Sequence, residues 1–177
     1  MRALIATILR HWPALAFVTS AAMLAIAHAF ETFGHLAPCE LCLYERQVYW
    51  VALPVAALAF IASQGVSPKV FTPWIGAALA LIFLTGAGIA IYHAGAEWKF
   101  WPGPSTCSGT SGTVSAAGLA NLMNGAKIET PHCDKAAWVF LGLSMAGWNA
   151  LISLKLAGWT IAWAIRSRSR KPVAAIA

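Results

Sequence analysis

The stretch VFTPWIGAALALIFLTGAGIAIY, Val70 to Tyr92, carries no acidic, basic or histidine residue anywhere along its length. A bilayer core about 30 Å thick is crossed by about 20 residues of helix, so this run predicts a transmembrane helix over 70–92. Two more runs read the same way. Trp12 to Phe30 is uncharged apart from the titratable His28, and predicts a span over 12–30. Leu43 to Ala62 is apolar except for Glu45, Arg46 and Gln47 at its start, and predicts a span over 43–62. A fourth span is expected over 148–165, with Trp138 to Gly147 lying at the interface before it. That choice puts Lys155 near mid-span, at about 2.5–3.5 kcal/mol on insertion scales and less where the side chain snorkels. A crossing over Ala136 to Leu154 avoids Lys155 but strands an apolar tail before the basic end.

Composition agrees with this reading. Of 177 residues, 59% are hydrophobic and 10% charged, against roughly 25% charged in a soluble domain. Disorder is excluded because it needs much charge and few apolar residues, and no collagen-like or heptad period appears. Nine Trp and eight Phe suit a chain with two membrane interfaces, where aromatic rings collect. Gly76, Gly86 and Gly88, with many Ala, permit close helix approach in lipid. Pro54 removes one backbone donor from the second span and is expected to kink it.

Four spans put both termini on one side. That side collects Arg2, Arg10, Lys69, Arg166, Arg168, Arg170 and Lys171 without an acid; the other sets Lys99, Lys127 and Lys135 against Glu31, Glu40, Glu97, Glu129 and Asp134. Lys and Arg stay cytoplasmic, so 1–11, 63–69 and 166–177 are expected inside and the loops 31–42 and 93–147 outside. The net charge of +6 is therefore an orientation signal, and a nucleic-acid partner is excluded. Arg2, Arg10 and Ala27-His28-Ala29 also fit a cleavable signal peptide; the length of the run favours an uncleaved anchor.

All four cysteines then lie on the outer side. Cys39 and Cys42 form a Cys-x-x-Cys pair before the second span, and Cys107 and Cys133 sit in the long loop. Structural disulfides are one reading, favoured in oxidising compartments. A tetrahedral zinc site, with His132 beside Cys133, is another. The third is thiol–disulfide exchange, because a close Cys-x-x-Cys pair is more often redox-active than structural. Arg46 lies four residues beyond Cys42, one helical turn deeper on the same face, and a guanidinium there favours the reactive thiolate of Cys42; an interfacial anchor is its bland alternative. Glu45 points elsewhere around the helix. In the long loop, Ser105 to Thr113 reads as flexible, and Val114, Leu119, Leu122 and Met123 fall on a helical spacing suited to the membrane surface before Asn124-Gly125. A disulfide closing that loop gains about 3–4 kcal/mol by chain entropy, so loop flexibility or strain has to offset it if the bond is to be given away.

Pro38-Cys39-Glu40-Leu41-Cys42-Leu43-Tyr44-Glu45-Arg46 resembles the signature of the disulfide bond formation protein B (DsbB) family. Tyr92-His93, Trp101-Pro102-Gly103-Pro104 before Cys107, and Phe140-Leu141-Gly142-Leu143 after Cys133 are similar to that family too. The resemblance runs over nearly the whole chain. In the related vitamin K epoxide reductase family the loop cysteines precede the Cys-x-x-Cys, unlike here. Lys155 departs from the usual apolar fourth span.

The resemblance implies an all-α membrane protein: a four-transmembrane-helix bundle of the bacterial inner membrane, with a long periplasmic loop carrying a short interfacial helix. It implies a thiol:quinone oxidoreductase that reoxidises a periplasmic DsbA-like dithiol oxidase and passes electrons to a membrane quinone, ubiquinone or menaquinone. Cys107 would form the mixed disulfide with the partner, Cys133 would attack Cys39, and Cys42 would be freed as a thiolate facing the quinone, with Arg46 stabilising charge there. His93 is implied as a further quinone-binding residue, with a polar interfacial role as its alternative. His11, His28, His35 and His132 read as interfacial or solvated. The rival function is a non-enzymatic membrane scaffold whose cysteines staple loops or hold zinc.

Overall fold

The computed structural model describes residues 2–65, 71–104 and 132–169. Helix α1 spans Arg2–Arg10, α2 Trp12–Thr32, α3 Glu40–Ser63 and α4 Thr72–Glu97. A two-stranded antiparallel hairpin follows, β1 Val139–Phe140 and β2 Leu143–Ser144, and α5 runs Met145–Ser169. Cys107, the 105–113 segment and the expected interfacial helix around 114–123 lie outside the described residues.

Among the described residues, three helices are long and apolar enough to cross a membrane: α2, α3 and α4, of 21, 24 and 26 residues. At 1.5 Å per residue each exceeds a 30 Å core. Helix α5 matches them with 25 residues, but Asn149 and Lys155 lower its hydropathy. Its polar side chains divide by face. Asn149, Ser153 and Thr160 are buried in the bundle, whereas Lys155 is exposed.

Two features go beyond the expected layout. Residues 2–10, expected as a cytoplasmic tail, form a helix that ends where Pro13, in the first turn of α2, cannot donate to the Leu9 carbonyl. Residues 139–144, expected as part of an interfacial stretch in an all-α chain, form the hairpin. Its turn residues Leu141 and Gly142 have φ of 52° and 78°, as a two-residue type I′ turn requires. The chain reverses there and enters α5 at Met145, three positions before the expected 148.

Helix α4 is central. It packs against both α3 and α5, and α2 packs on α3. The core is built of small residues around a few large ones: Ala16, Ala52, Ala56 and Ala59 beside Leu79 and Phe83, all fully buried. Glycines tighten the contacts on α4. A Cβ on Gly86 would stand 2.8 Å from Val48 of α3, and one on Gly76 2.8 Å from Ala164 of α5, so each marks a close helix approach. Gly88, expected to do the same, has nothing within 4 Å of the Cβ position. Polar bonds also cross between helices, with the Trp12 indole donating to Thr160 Oγ1 at 3.0 Å. Large apolar side chains such as Phe17, Val18, Trp50, Leu81 and Trp74 point outward, the arrangement of helices solvated by lipid.

Candidate active site

The short connection from α2 to α3 delivers Cys39 to the N-cap of α3, where its backbone is extended and its Sγ accepts the Cys42 N–H at 3.3 Å. Three residues is just under one turn, so Cys42 lies directly over the cap. The two Sγ atoms are 2.9 Å apart and both thiols are free. Cys39 is held below its ordinary value chiefly by the side-chain hydrogen bond with Cys42, helped by the Cys42 N–H, while burial and the Glu45 and Glu97 charges oppose. A thiol at a helix N-terminus is where a thiolate is expected. In the sequence, a nearby cation is offered only to Cys42, by Arg46.

Cys133 is fully buried and disulfide-bonded, and it forms one apolar cluster with Cys39 and Leu41, with Cys42 against it. The segment carrying it is tied to the end of α4 by Lys99, whose Nζ donates to the Asp134 carboxylate at 2.5 Å and to the Asp134 carbonyl at 2.6 Å. That ammonium holds the exposed Asp134 carboxyl below its ordinary value.

His93 is buried. Its Nε2 is 3.5 Å from Cys39 Sγ, and its Nδ1 bonds Glu45 Oε1 at 2.8 Å. Glu45 Oε2 accepts from Asn149 Nδ2 at 2.6 Å, Asn149 Oδ1 accepts from Tyr49 at 2.5 Å, and Tyr49 also bonds Ser153 at 3.0 Å. This chain of bonds joins α3, α4 and α5 directly beneath the cysteine pair. Glu45, Asn149 and Glu97 were missed as site residues, though an acid or amide within an apolar helix is a functional signal in itself. His11, His28, His35 and His132 are exposed.

The side-chain hydrogen bond with Cys39 and burial push the Cys42 thiol above its ordinary value, and the guanidinium of Arg46 is directed to α2 instead. It is ion-paired with Glu31 at the end of α2 and donates to the Ala27 carbonyl at 3.1 Å. Both Arg46 and Cys42 line a cavity of about 950 Å³, together with Cys39, Glu45, His93 and Glu97. Its apolar wall includes Met23, Leu24, Phe30 and Leu36. Volume and lining are those of a small-molecule site.

Zinc held by all four cysteines is incompatible with the Cys133 disulfide. Among the described residues, Cys39, Cys42 and His93 bring three donor atoms within 4.8 Å of one another, one short of a structural zinc set.

Residues 9–163 match the family described as "Disulfide bond formation protein DsbB". The chain is 32% identical over 152 residues to "Disulfide bond formation protein B" of Methylococcus capsulatus, covering 83% of this chain and 88% of that one. It is 30% identical over 162 residues to the protein of the same name from Xylella fastidiosa, covering 89% and 90%. Against that of Dechloromonas aromatica it is 26% identical over 164 residues, covering 89% and 93%. No solved structure gives a significant match. With a sulfur pair set on a helix N-terminus beside a buried disulfide, in a bundle with three membrane-length apolar helices, and with a match running from Leu9 to Trp163, this chain belongs to the Disulfide bond formation protein DsbB family of membrane oxidoreductases.

Proposed function

We propose that the protein reoxidises a periplasmic, DsbA-like dithiol oxidase and passes the electrons to a membrane quinone. The observation that carries this reading is the packing of disulfide-bonded Cys133 against Cys39, at the mouth of a cavity that Cys42 lines. Electrons entering at one sulfur pair then have a neighbour to move to, and a place to leave.

The pairing of Cys133 with Cys107 belongs to this proposal. A thiolate of the partner attacks Cys107, the Cys107–Cys133 bond breaks, and Cys133 leaves as thiolate. Cys133 attacks Cys39 of the Cys39–Cys42 disulfide, forming Cys39–Cys133 and freeing Cys42. The partner's second thiol closes its own disulfide and releases Cys107, which re-forms its bond with Cys133 and leaves Cys39 and Cys42 reduced. The pair is then reoxidised from Cys42. In total one dithiol becomes one disulfide, and two electrons and two protons go to the acceptor.

The cavity fits a quinone: apolar walls for the ring and the start of an isoprenoid tail, with Arg46 and His93 at the polar end. Bound there, a quinone supplies a two-electron, two-proton sink. Arg46 carries positive charge to the cavity wall, where negative charge develops on a quinone as it is reduced, and Glu31 and Ala27 fix its guanidinium. His93 stands beside Cys39, oriented by Glu45.

The proposed topology has α5 as the fourth span and places the cysteine end in the periplasm of a bacterial inner membrane. Arg2, Arg10, Arg166 and Arg168 gather at one end, and Glu31, Glu40, Glu97 and Asp134 at the other, which supports that orientation. The deciding experiment supplies the purified chain with decylubiquinone or a menaquinone analogue and a reduced thioredoxin-fold dithiol protein. Quinone reduction dependent on all four cysteines is expected; none with either acceptor sinks the proposal.

A further inference from the structure

His93 stands between two carboxylates, and one of them has no part in the reaction described above. Nδ1 lies 2.8 Å from the Glu45 carboxylate, a partner that accepts a proton-bearing Nδ1 and so leaves the Nε2 lone pair free in the neutral ring. Nε2 faces two groups, Cys39 Sγ at 3.5 Å and Glu97 Oε1 at 3.8 Å. Glu97 is one helical turn beyond His93 on α4, and its side chain is only 5% exposed. Ser144 hydrogen-bonds it from β2, but its Oε2 is buried with no hydrogen-bond partner, and Glu97 lines the cavity.

A buried carboxylate with a bare oxygen is unfavourable unless it is protonated or faces a cation. Either a proton on Glu97 or an imidazolium at His93 meets that need. The pair is thus built to take up one proton, next to a sulfur that must lose one.

We propose, building on the oxidoreductase reading, that Glu97 receives through His93 the proton that leaves Cys39 when the reduced pair is oxidised. The Cys39 and Cys42 S–H bonds break, the S–S bond forms, and two electrons go to the quinone. The Cys39 proton moves to His93 Nε2 and then to the Glu97 carboxylate, while the Cys42 proton enters the cavity directly. Glu97 releases its proton into the same cavity, where reduction to the hydroquinone consumes both. Glu45 is a positioning residue, fixing the ring so that Nε2 faces the sulfur.

The other titratable groups around this pair are Cys42, Glu45 and Tyr49 from α3, with Arg46, His35, His132 and Lys135 across the cavity. Asn149 and Ser144 complete the surroundings without charge. Glu97→Gln removes proton acceptance and little else, since it keeps the size and the Ser144 contact.

The test uses the full chain in liposomes with decylubiquinone and a reduced thioredoxin-fold donor. Wild-type turnover is expected to fall as the pH is lowered, because a protonated Glu97 cannot accept. Glu97→Gln is expected to lower kcat tenfold or more at every pH, to lose that acid limb, and to leave both the KM for decylubiquinone and the donor–Cys107 exchange rate unchanged. Glu97→Asp, which keeps the carboxylate, restores part of kcat and the limb. Wild-type kcat and an intact limb in Glu97→Gln overturn the inference, as does a loss that comes with a raised KM and is not relieved by Asp. A wild-type chain inert toward quinones overturns the function reading as well; an active wild type with an indifferent Glu97→Gln overturns this inference alone.

Discussion

Asn149 of α5 donates a 2.6 Å hydrogen bond to Glu45 of α3, and both side chains are buried. The same amide accepts from Tyr49 at 2.5 Å, so one residue satisfies two groups on the facing helix. Asn149→Leu keeps the volume and removes both partners, leaving a buried carboxylate oxygen unpaired. The expected loss is about 1–3 kcal/mol, read by reversible unfolding in mixed micelles. Ser153→Ala is expected to do less, because Tyr49 keeps Asn149. Equal stability of Asn149→Leu and wild type would contradict this account of the bundle.

Arg46 holds Glu31 and the Ala27 carbonyl with separate nitrogens. A lysine carries the charge but cannot reproduce that fork. Arg46→Ala is expected to slow quinone-dependent turnover by roughly tenfold, equivalent to about 1.4 kcal/mol of barrier, with Arg46→Lys between it and wild type. Exchange between Cys107 and the donor survives in both. Stopped-flow measurement of the two half-reactions decides; a defect confined to donor exchange refutes the placement of Arg46 at the acceptor end.

The helices were legible because lipid imposes a simple rule, a long run without charge, and α2, α3 and α4 obey it. Pro13 marks where α1 stops, but nothing local says that residues 2–10 are helical; Leu9 packs there with Trp12 in the core. The hairpin was hidden because Phe140-Leu141-Gly142-Leu143 is a short apolar run, which periodicity cannot assign, and Leu141 is an unusual residue for a left-handed turn position. The sulfur pair and Arg46 stand close in sequence, so a motif revealed them. His93, Glu45, Glu97 and Asn149 meet only through packing of three helices. Helical spacing does link His93 to Glu97, but not either of them to Cys39.

Reduced Cys39 titrates below an ordinary thiol, chiefly because Cys42 hydrogen-bonds to it. A depressed value in the folded state stabilises the fold fully above the ordinary thiol value, and that contribution is lost as pH falls through the folded value. Cys39 therefore adds stability to the dithiol form as pH rises across that window, a gain opposed above the ordinary thiol value by Cys42, whose thiol the same hydrogen bond raises. Iodoacetamide labelling located by mass spectrometry is expected to mark Cys39 at a pH where free thiols are still protonated. Cys42→Ala removes the donor and shifts the Cys39 profile to higher pH, while Cys42→Ser, which still donates, shifts it less. Identical profiles in both variants rule out Cys42 as the cause.

Gly95 meets the indole of Trp101, which folds back from the segment after α4. A Cβ there would stand 2.0 Å from Trp101 Cζ2. The indole has little room to yield: Nε1 donates to the Tyr92 carbonyl at 2.8 Å, and the ring stacks on Tyr92 with centroids 6.0 Å apart and planes 12° apart. Overpacking of this kind destabilises by about 1–3 kcal/mol. Gly95→Ala is expected to lower Tm and to red-shift Trp101 emission, assigned by its absence in Trp101→Phe. Because Lys99 between them clasps Asp134 beside Cys133, displacing Trp101 also disturbs the seat of that disulfide. Slower donor exchange with unchanged KM for quinone is the expected signature. A raised quinone KM with normal donor exchange would place the disturbance in the cavity and break the proposed link from α4 through Lys99 to Cys133.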